Sequence, residues 1–302
     1  MAGTRHVTAL SRQGEMVKTL VRIMAALALV ALGLSFAGAL HPVGDSLAVF
    51  RLAIAVPALL LVLATGLPRG WRLAGAALCL AGAGSVLGHK LPQAEPGALG
   101  VYQKNMFHRN SDIGGLAEDI LAAAPDIVTL QEVSVENEAL LDLLWEAYPT
   151  QHLCRYTSRS GIAVLTRLPT SGTPFCSEEI GLAVVQVETA SGPVRAMSLH
   201  FAWPFPGGQP KQSAWLARYL GQGGGPAIMG GDFNMVPWSE TLDDIADAAG
   251  FERAGPSRPT FQLGPFPLPI DHVFAPAGGR VEVRGLSGSD HRGLLARVRL
   301  TG

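Results

Sequence analysis

Two short polar motifs in the last third of the chain combine residue types that do chemistry rather than core packing. Gly231-Asp232-Phe233-Asn234 follows an apolar run that ends at Met229, and Ser289-Asp290-His291 precedes the alternating segment 294–300. Residues two apart in an extended segment share a face, so Asp232 and Asn234 point together, away from Phe233. Carboxylates, an amide and an imidazole at strand ends indicate divalent-cation and proton-transfer chemistry on a phosphate ester.

Two upstream strands are predicted to deliver further polar groups to the same place. Residues 101–106 read as a strand that carries Asn105, and the apolar run 127–130 leads directly into Gln131-Glu132. Mg²⁺ takes oxygen ligands and keeps several waters, so one or two protein carboxylates suffice. Glu132 is the main ligand expected, and Asn105 would supply an amide oxygen or a contact to phosphate.

The histidines differ in the support that the sequence gives them. His291 needs a partner that fixes its tautomer, and Asp271, after the apolar Ile270, is the predicted orienting carboxylate. His200 ends another predicted strand. His272 is interpreted as structural, and motif support is lacking for two others, His108 and His152.

Six pieces in order resemble the endonuclease/exonuclease/phosphatase superfamily, which includes deoxyribonuclease I, abasic-site endonucleases, neutral sphingomyelinases and inositol polyphosphate 5-phosphatases. They are Asn105, Gln131-Glu132, Leu199-His200, Gly231-Asp232-Phe233-Asn234, Ile270-Asp271-His272 and Ser289-Asp290-His291. The resemblance implies a four-layer α/β sandwich, two packed mixed sheets flanked by helices, with the active site at one edge of the sheets.

The same resemblance implies roles. Asn105, Glu132 and Asp290 would surround Mg²⁺ or Mn²⁺. The residues implied to act in catalysis are His200, Asp232, Asn234, Asp271 and His291. An activated water would attack phosphorus in line, without a covalent protein intermediate.

Composition divides the chain into an apolar and an ordinary globular part. Only 16% of the 302 residues are charged and the mean hydropathy is +0.27. Three apolar segments, 21–40, 47–67 and 73–88, each approach the ~20 residues that cross a hydrocarbon core. Residues 1–90 are therefore predicted to be a membrane anchor of about three transmembrane helices. Residues 91–98 are a linker and 99–302 the catalytic domain.

Basic residues predict the orientation of this anchor. Four lie before the first segment, Arg5, Arg12, Lys18 and Arg22, and two lie between the second and third, Arg69 and Arg72. The loop between the first and second segments, 41–46, contains no Lys or Arg. The positive-inside rule then predicts a multi-pass inner-membrane protein with its catalytic domain on the extracytoplasmic side. Ala37-Gly38-Ala39 also fits a signal cleavage site. Cleavage there would leave the domain on the same side.

Two cysteines, Cys154 and Cys176, are predicted to lie on neighbouring strands of the exported domain, whereas Cys79 lies in the third apolar segment. In an oxidising compartment the pair can form a disulfide; the alternative is two separate buried thiols, and the sequence leaves both open.

Patterning places helices near 113–124, 137–147, 211–220 and 239–249, and strands between them. Two loops rich in aromatic residues and Pro, 201–206 and 261–269, should border the site, where they would stack bases or rest in a bilayer interface.

The substrate stays open at this point. Residues 99–302 contain 15 Lys and Arg against 21 Asp and Glu, which disfavours tight duplex binding. The predicted function is a membrane-anchored, divalent-metal-dependent phosphoesterase acting on nucleic acid or on a lipid or small phosphodiester. The expected partners are that substrate and the bilayer, with no obligate protein partner. The alternatives are a catalytically silent membrane-tethered scaffold, and transport by the spans, which lack an intramembrane acidic residue.

Overall fold

The computed structural model describes residues 2–91, 94–157 and 159–301, and the chain divides into two compact units, Met1–Gly88 and His89–Gly302. Pro92 and Gln93 of the predicted linker lie outside the described residues.

The first unit is helical. Its helices are α1 (Ala2–Leu34), α2 (Val43–Ala48), α3 (Arg51–Ala64) and α4 (Arg69–Gly88). They pack through small side chains: Gly75 faces Val62, and Gly82 faces Leu32 in a cluster with Ala55 and Cys79. This is the close helix contact that small residues permit.

The helix bounds differ from the predicted spans. By length and composition alone, two helices in the described part of the chain are long and apolar enough to cross a membrane, Arg12–Leu34 and Arg69–Gly88. The helix in the second predicted span, α3, has 14 residues because the chain turns at 49–50 between α2 and α3.

The second unit contains two six-stranded mixed sheets. The first sheet has, in spatial order, β13 (Gly279–Val283), β14 (Leu294–Val298), β1 (Leu99–Asn105), β2 (Ile127–Gln131), β4 (Gly161–Thr166) and β3 (Thr150–Arg155). The second has β5 (Thr170–Ser177), β6 (Leu182–Thr189), β7 (Gly192–His200), β8 (Ala227–Asp232), β12 (Asp271–Ala275) and β9 (Glu252–Arg253). A separate hairpin pairs β10 (Phe261–Leu263) with β11 (Phe266–Leu268).

Apolar layers hold the sheets to each other and to the helices. Buried Val and Ile of both sheets, such as Val101, Ile162 and Val185, form the layer between them. On the other face of the first sheet, Leu116 and Leu140 of α5 (Ile113–Ala123) and α6 (Ala139–Leu144) pack on buried strand residues. The remaining helices are α7 (Gln209–Gly221) and α8 (Glu240–Ala249). The predicted α/β sandwich of two packed mixed sheets with flanking helices is confirmed.

The sheets approach most closely near β8. A Cβ atom at Gly230 would overlap the hydroxyl of Thr129 on β2 of the facing sheet, and one at Gly231 would overlap the carbonyl oxygen of Leu199 on β7. The two glycines before Asp232 are therefore required by close packing.

A disulfide joins the edges of the two sheets. Cys154 on β3 and Cys176 on β5 are bonded, with their Cα atoms 5.5 Å apart. The disulfide, one of the two alternatives that the sequence left open, is thus present, and its two strands belong to different sheets. The strand β5 is largely exposed, and the sequence predicted it only through the placement of Cys176.

Removing this bond is expected to lower the free energy of unfolding by about 3 kcal/mol, because a cross-link over 22 residues restricts the unfolded chain. Thermal denaturation in detergent measures the effect in two ways. The full wild-type chain is compared with and without dithiothreitol, and the double variant Cys154→Ser/Cys176→Ser is compared with wild type. The buried free Cys79 provides the control Cys79→Ser. An unchanged midpoint on reduction of the wild-type chain would contradict the prediction.

Candidate active site

The polar residues singled out in the sequence converge because strand register brings their strand ends to one edge. In the parallel pair β1 and β2, Asn105 lies beside Gln131. In the second sheet, Asp232 on β8 lies between His200 on β7 and Asp271 on β12. His291 precedes β14, which runs antiparallel to β1, so it reaches the same edge.

Two of these residues have an unusual backbone. Glu132 has φ 55° and Asn234 has φ 48°, in the left-handed region that residues with a Cβ rarely adopt. Such conformations cost free energy and persist where the surroundings fix them, often at functional sites. Glu132 lies directly after β2 and Asn234 lies two residues after β8, so both are in the turns that follow strand ends.

Glu132 is held by hydrogen bonds to both carboxylate oxygens. Asn105 Nδ2 donates to Oε1 at 3.1 Å, and the His108 backbone N–H donates to Oε2 at 3.0 Å. Burial alone would raise the pKa of Glu132, but the hydrogen bond from Asn105 and the charge of His200 hold it below its usual value. Glu132 is therefore ionised and oriented, as a candidate metal ligand must be. His108, which had no motif support, also places its Nδ1 3.2 Å from Oε2.

Asn105, predicted to take part in the metal site, contacts other site residues and the backbone. Its Oδ1 accepts the Phe107 N–H at 2.9 Å, and its Nδ2 also donates to Asp232 Oδ2 at 2.9 Å. The amide nitrogen thus joins Glu132 to Asp232, and the amide oxygen is directed to the backbone. It lies behind the pocket described below.

Asp232 is the central acceptor of the site. Its Oδ2 lies 3.7 Å from the Nε2 atoms of both His200 and His291, and its Oδ1 accepts the Asn234 N–H at 2.9 Å. Burial, and then the nearby Asp271 carboxylate, raise the pKa of Asp232, while the imidazole of His291 opposes the shift. Asn234 is fixed in turn, because its Nδ2 donates to Phe201 O at 2.8 Å.

His291 and Asp271 form the predicted pair. Asp271 Oδ2 lies 2.8 Å from His291 Nδ1, and its Oδ1 accepts Gln103 Nε2 at 3.0 Å. Burial alone would lower the pKa of His291, but Asp271 and Asp232 raise it to about 10. Since Nδ1 is bound to Asp271, Nε2 is the atom that faces Asp232.

The groups open into a pocket of about 440 Å³. Six of the eight predicted site residues line it: Glu132, His200, Asp232, Asn234, Asp290 and His291. Asp290 is exposed, and the hydroxyl of Tyr156 lies 3.3 Å from His200 Nδ1. Asp271 is buried behind His291, and Asn105 is buried behind Glu132.

The donor set of the pocket fits a hard divalent cation. Its carboxylates are Glu132, Asp232 and Asp290, and thiols are absent from its described lining. Oxygen ligands of this kind suit Mg²⁺ and Mn²⁺. Ligand atoms of Asp232, Asp271 and His291 also lie within 4.8 Å of one another. Asp271 and His291 are already hydrogen-bonded to each other. Glu132 and Asp290 are therefore the candidate ligands that face the open pocket.

Lys104 fixes the loop that carries Asp290 and His291. Its buried Nζ donates to the carbonyl oxygens of Gly285, Leu286 and His291, at 3.2, 2.7 and 2.6 Å. Burial lowers the pKa of Lys104 to about 8, so the ammonium form still predominates at neutral pH. A lysine within an apolar strand carries no motif, and the sequence did not identify it.

The predicted structural role of His272 agrees with its environment. Its Nε2 lies 2.8 Å from Met235 O, and burial lowers its pKa to about 3. The imidazole is neutral and does not reach the pocket lining.

Both aromatic loops border the pocket, as expected. Phe201 and Trp203 come from the first, and Phe261 of β10 comes from the second. The rings of Trp203 and Phe261 lie 6.1 Å apart, edge to face, and the Phe261 ring lies 4.7 Å from that of His291.

Comparisons with known proteins identify a family and several structures that this chain resembles. A model described as the Endonuclease/Exonuclease/phosphatase family matches residues 103–291. Truncated TDP2 of Caenorhabditis elegans is 16% identical with a TM-score of 0.54, covering 66% of this chain and 96% of that one. TDP2 of D. rerio, complexed with single-strand DNA product, is 16% identical with a TM-score of 0.53, covering 66% and 97%.

A mutant beta toxin from Staphylococcus aureus with bound magnesium ions is 13% identical with a TM-score of 0.50, covering 67% and 100%. Among the curated proteins, no significant match is found.

The fold and the site define a metal-dependent phosphoric ester hydrolase. The chain belongs to the Endonuclease/Exonuclease/phosphatase family. Metal-dependent hydrolysis of phosphodiesters is the activity of this class. The intact set of polar groups in the pocket agrees with that activity rather than with a catalytically silent scaffold.

Proposed function

We propose that this chain is a membrane-anchored phosphodiesterase whose catalytic unit works on the extracytoplasmic side with Mg²⁺ or Mn²⁺. The observation that carries the catalytic part is the pocket in which Glu132, Asp232 and His291 meet at the edge of both sheets. Glu132 and Asp290 hold the cation. When bound, it stabilises negative charge on the phosphate and on the leaving oxygen.

The protein side chains divide the remaining work. Asp232, with its carboxylate fixed by Asn105 and Asn234, accepts a hydrogen bond from the attacking water and takes up its proton. His291, oriented by Asp271, presents Nε2 to a non-bridging phosphate oxygen. His200, held by Tyr156, lies on the other side of Asp232 and assists the leaving oxygen.

The first unit supports the proposed anchor. Large apolar side chains point outward from its helices: Leu27, Leu60, Trp71 and Leu80 are each more than 60% exposed. Helices that are apolar on their outer faces suit a lipid environment. We propose α3 as the second of three spans, because it lies within the apolar segment 47–67, which contains no acidic residue. The disulfide supports an oxidising compartment for the second unit.

Topology is tested with fusions to the C-terminus of the full chain. If there are three spans and the basic residues from Arg5 to Arg22 and at Arg69 are cytoplasmic, the C-terminus is exported. An alkaline phosphatase fused there should then be active, and a green fluorescent protein exported through the general pathway should be dark. A matched pair of fusions after residue 66, between α3 and α4, should give the reverse result. A fluorescent C-terminal fusion would show that two spans, not three, cross the membrane.

Two substrate classes fit the pocket. Nucleic acid is supported by the DNA product bound to the similar D. rerio protein. Lipid is supported by the exposed aromatic residues of the rim, because Trp203, Phe205 and Phe266 are 41%, 45% and 37% exposed, and such side chains suit a bilayer interface.

A substrate panel tests the proposal with the full chain in detergent and Mg²⁺ or Mn²⁺. It contains single-stranded DNA, duplex DNA, RNA, sphingomyelin, phosphatidylinositol and bis-p-nitrophenyl phosphate. We expect metal-dependent hydrolysis of the last substrate and of one class among the others. The absence of metal-dependent hydrolysis of every member by a folded chain would contradict the proposed function.

A further inference from the structure

A second groove adjoins the active-site pocket. It has a volume of about 670 Å³, and we call it the α7 groove after the helix that forms one wall; Glu179, Ile180, Gly208, Lys211, Trp215 and Arg218 line it. Ala202 and Gln212 line both this groove and the active-site pocket. Gln212 is fixed between them, because its Oε1 accepts the Ala202 N–H at 2.8 Å and its Nε2 donates to Ile180 O at 3.0 Å. The two depressions are therefore adjacent.

The helix presents one basic and aromatic face to this groove. Lys211, Trp215 and Arg218 are four and three residues apart, which places them on one side of α7 with Tyr219 beside them. Lys211 and Arg218 are exposed, whereas Trp215 is half-buried. The apolar residues that anchor α7, Leu216 and Leu220, are buried on the opposite side.

The aromatic rings of this face are already ordered. The Trp215 ring stacks on Tyr219 at 5.3 Å and 10°, and the Phe175 ring stacks on Tyr219 at 5.6 Å and 11°. The guanidinium of Arg195 lies 5.7 Å from the Tyr219 ring. Phe175 precedes Cys176, so the disulfide to Cys154 fixes the strand that supplies the third ring. Trp215 is the ring of this stack that lines the groove, and a side chain that is already held loses little entropy when a ligand stacks on it.

We propose that the α7 groove binds the strand of a single-stranded nucleic acid beyond its scissile phosphate; this rests on the proposed function of the adjoining pocket. Unpaired bases stack on aromatic rings while cations follow the backbone, and the groove offers both. Its two cations face one carboxylate, Glu179, although the whole domain is acidic. That domain charge disfavours duplex DNA. The charges of Lys211 and Arg218 do not complement a neutral lipid tail.

The test compares two substrates in the full chain with Mg²⁺. Bis-p-nitrophenyl phosphate fills only the active-site pocket, whereas a ten-nucleotide single-stranded DNA extends beyond it. In Trp215→Ala and in Lys211→Ala/Arg218→Ala, we expect the KM for the DNA to rise about tenfold. The kcat/KM for bis-p-nitrophenyl phosphate should stay within about twofold of wild type. Trp215→Phe keeps a ring in the stack and should restore most of the DNA affinity.

The salt dependence gives a second readout. Removing two phosphate-binding cations should reduce the slope of log KM against log salt by about 1.4, on the scale for single strands. Arg280→Ala is the matched control, since Arg280 is an exposed cation on β13 that lines neither depression. It should change neither the KM nor the slope.

Each other outcome is decisive. Equal losses on both substrates would show a structural role for the helix face and overturn the inference. Cleavage of bis-p-nitrophenyl phosphate without cleavage of DNA, or selective loss on sphingomyelin vesicles, would overturn the inference while leaving the proposed function intact. Failure of the folded wild-type chain on every substrate would overturn both.

Discussion

Glu132→Gln is expected to reduce phosphodiester hydrolysis by about 10³-fold, because several kcal/mol of charge stabilisation depend on the cation and each 1.36 kcal/mol corresponds to tenfold in rate. The substitution keeps the acceptor for Asn105 but removes the charge. It also leaves the strained turn at φ 55° in place, so the fold should survive. Initial rates with bis-p-nitrophenyl phosphate over a range of Mg²⁺ concentrations measure the loss.

A control and an independent readout accompany this variant. Glu136→Gln removes an exposed carboxylate four residues further along the same loop and should retain wild-type rates. A cation that binds the native state raises the unfolding midpoint, so Mg²⁺ should stabilise wild type and Glu136→Gln, but Glu132→Gln much less. Full activity of a folded Glu132→Gln chain would remove Glu132 from the metal site.

His291→Ala and Asp271→Asn are each expected to lower kcat by about 10²-fold or more, on the scale of general acid–base and positioning effects. The two groups are bound at 2.8 Å, and Asp271 does not itself line the pocket, whereas His291 does. They should therefore act as one unit, so the double variant should be little slower than His291→Ala alone.

The cycle is measured as kcat for all four proteins at one pH and saturating metal. His272→Ala is not a suitable control because His272 is buried in the core; His152→Ala is suitable, since His152 is partly exposed on β3. Losses that multiply would show that the residues work independently. Asp271 would then act chiefly through another of its contacts, such as the hydrogen bond from Gln103.

The polar residues at the edge of the sheets were predictable because each of them interrupts the apolar pattern of its strand. Asp232 follows two glycines at the end of a buried run, and Glu132 follows an apolar strand, so local sequence marks both as strand ends. Their mutual approach was not predictable from the residues alone, because it depends on the pairing of β1 with β14 and of β8 with β12. The family resemblance supplied that order.

The polar groups behind the site were missed because they lie inside strands. Gln103 Nε2 donates to Gln131 Oε1 at 2.8 Å, and Gln131 Nε2 donates to Ser198 Oγ at 3.1 Å. All three are buried. A polar residue inside an apolar strand is usually read as exposed by alternation. Here the partner comes from another strand or from the facing sheet, which no local pattern reports.

The most direct measurement is hydrolysis of bis-p-nitrophenyl phosphate by the full chain in water enriched in ¹⁸O, with Mg²⁺ and then with excess EDTA. Attack of an activated water on phosphorus predicts one ¹⁸O atom in the p-nitrophenyl phosphate product and none in p-nitrophenol, with turnover lost in EDTA and restored by Mg²⁺ or Mn²⁺. Turnover that persists without a divalent cation, or label in the phenol, would contradict metal-dependent attack of water on phosphorus.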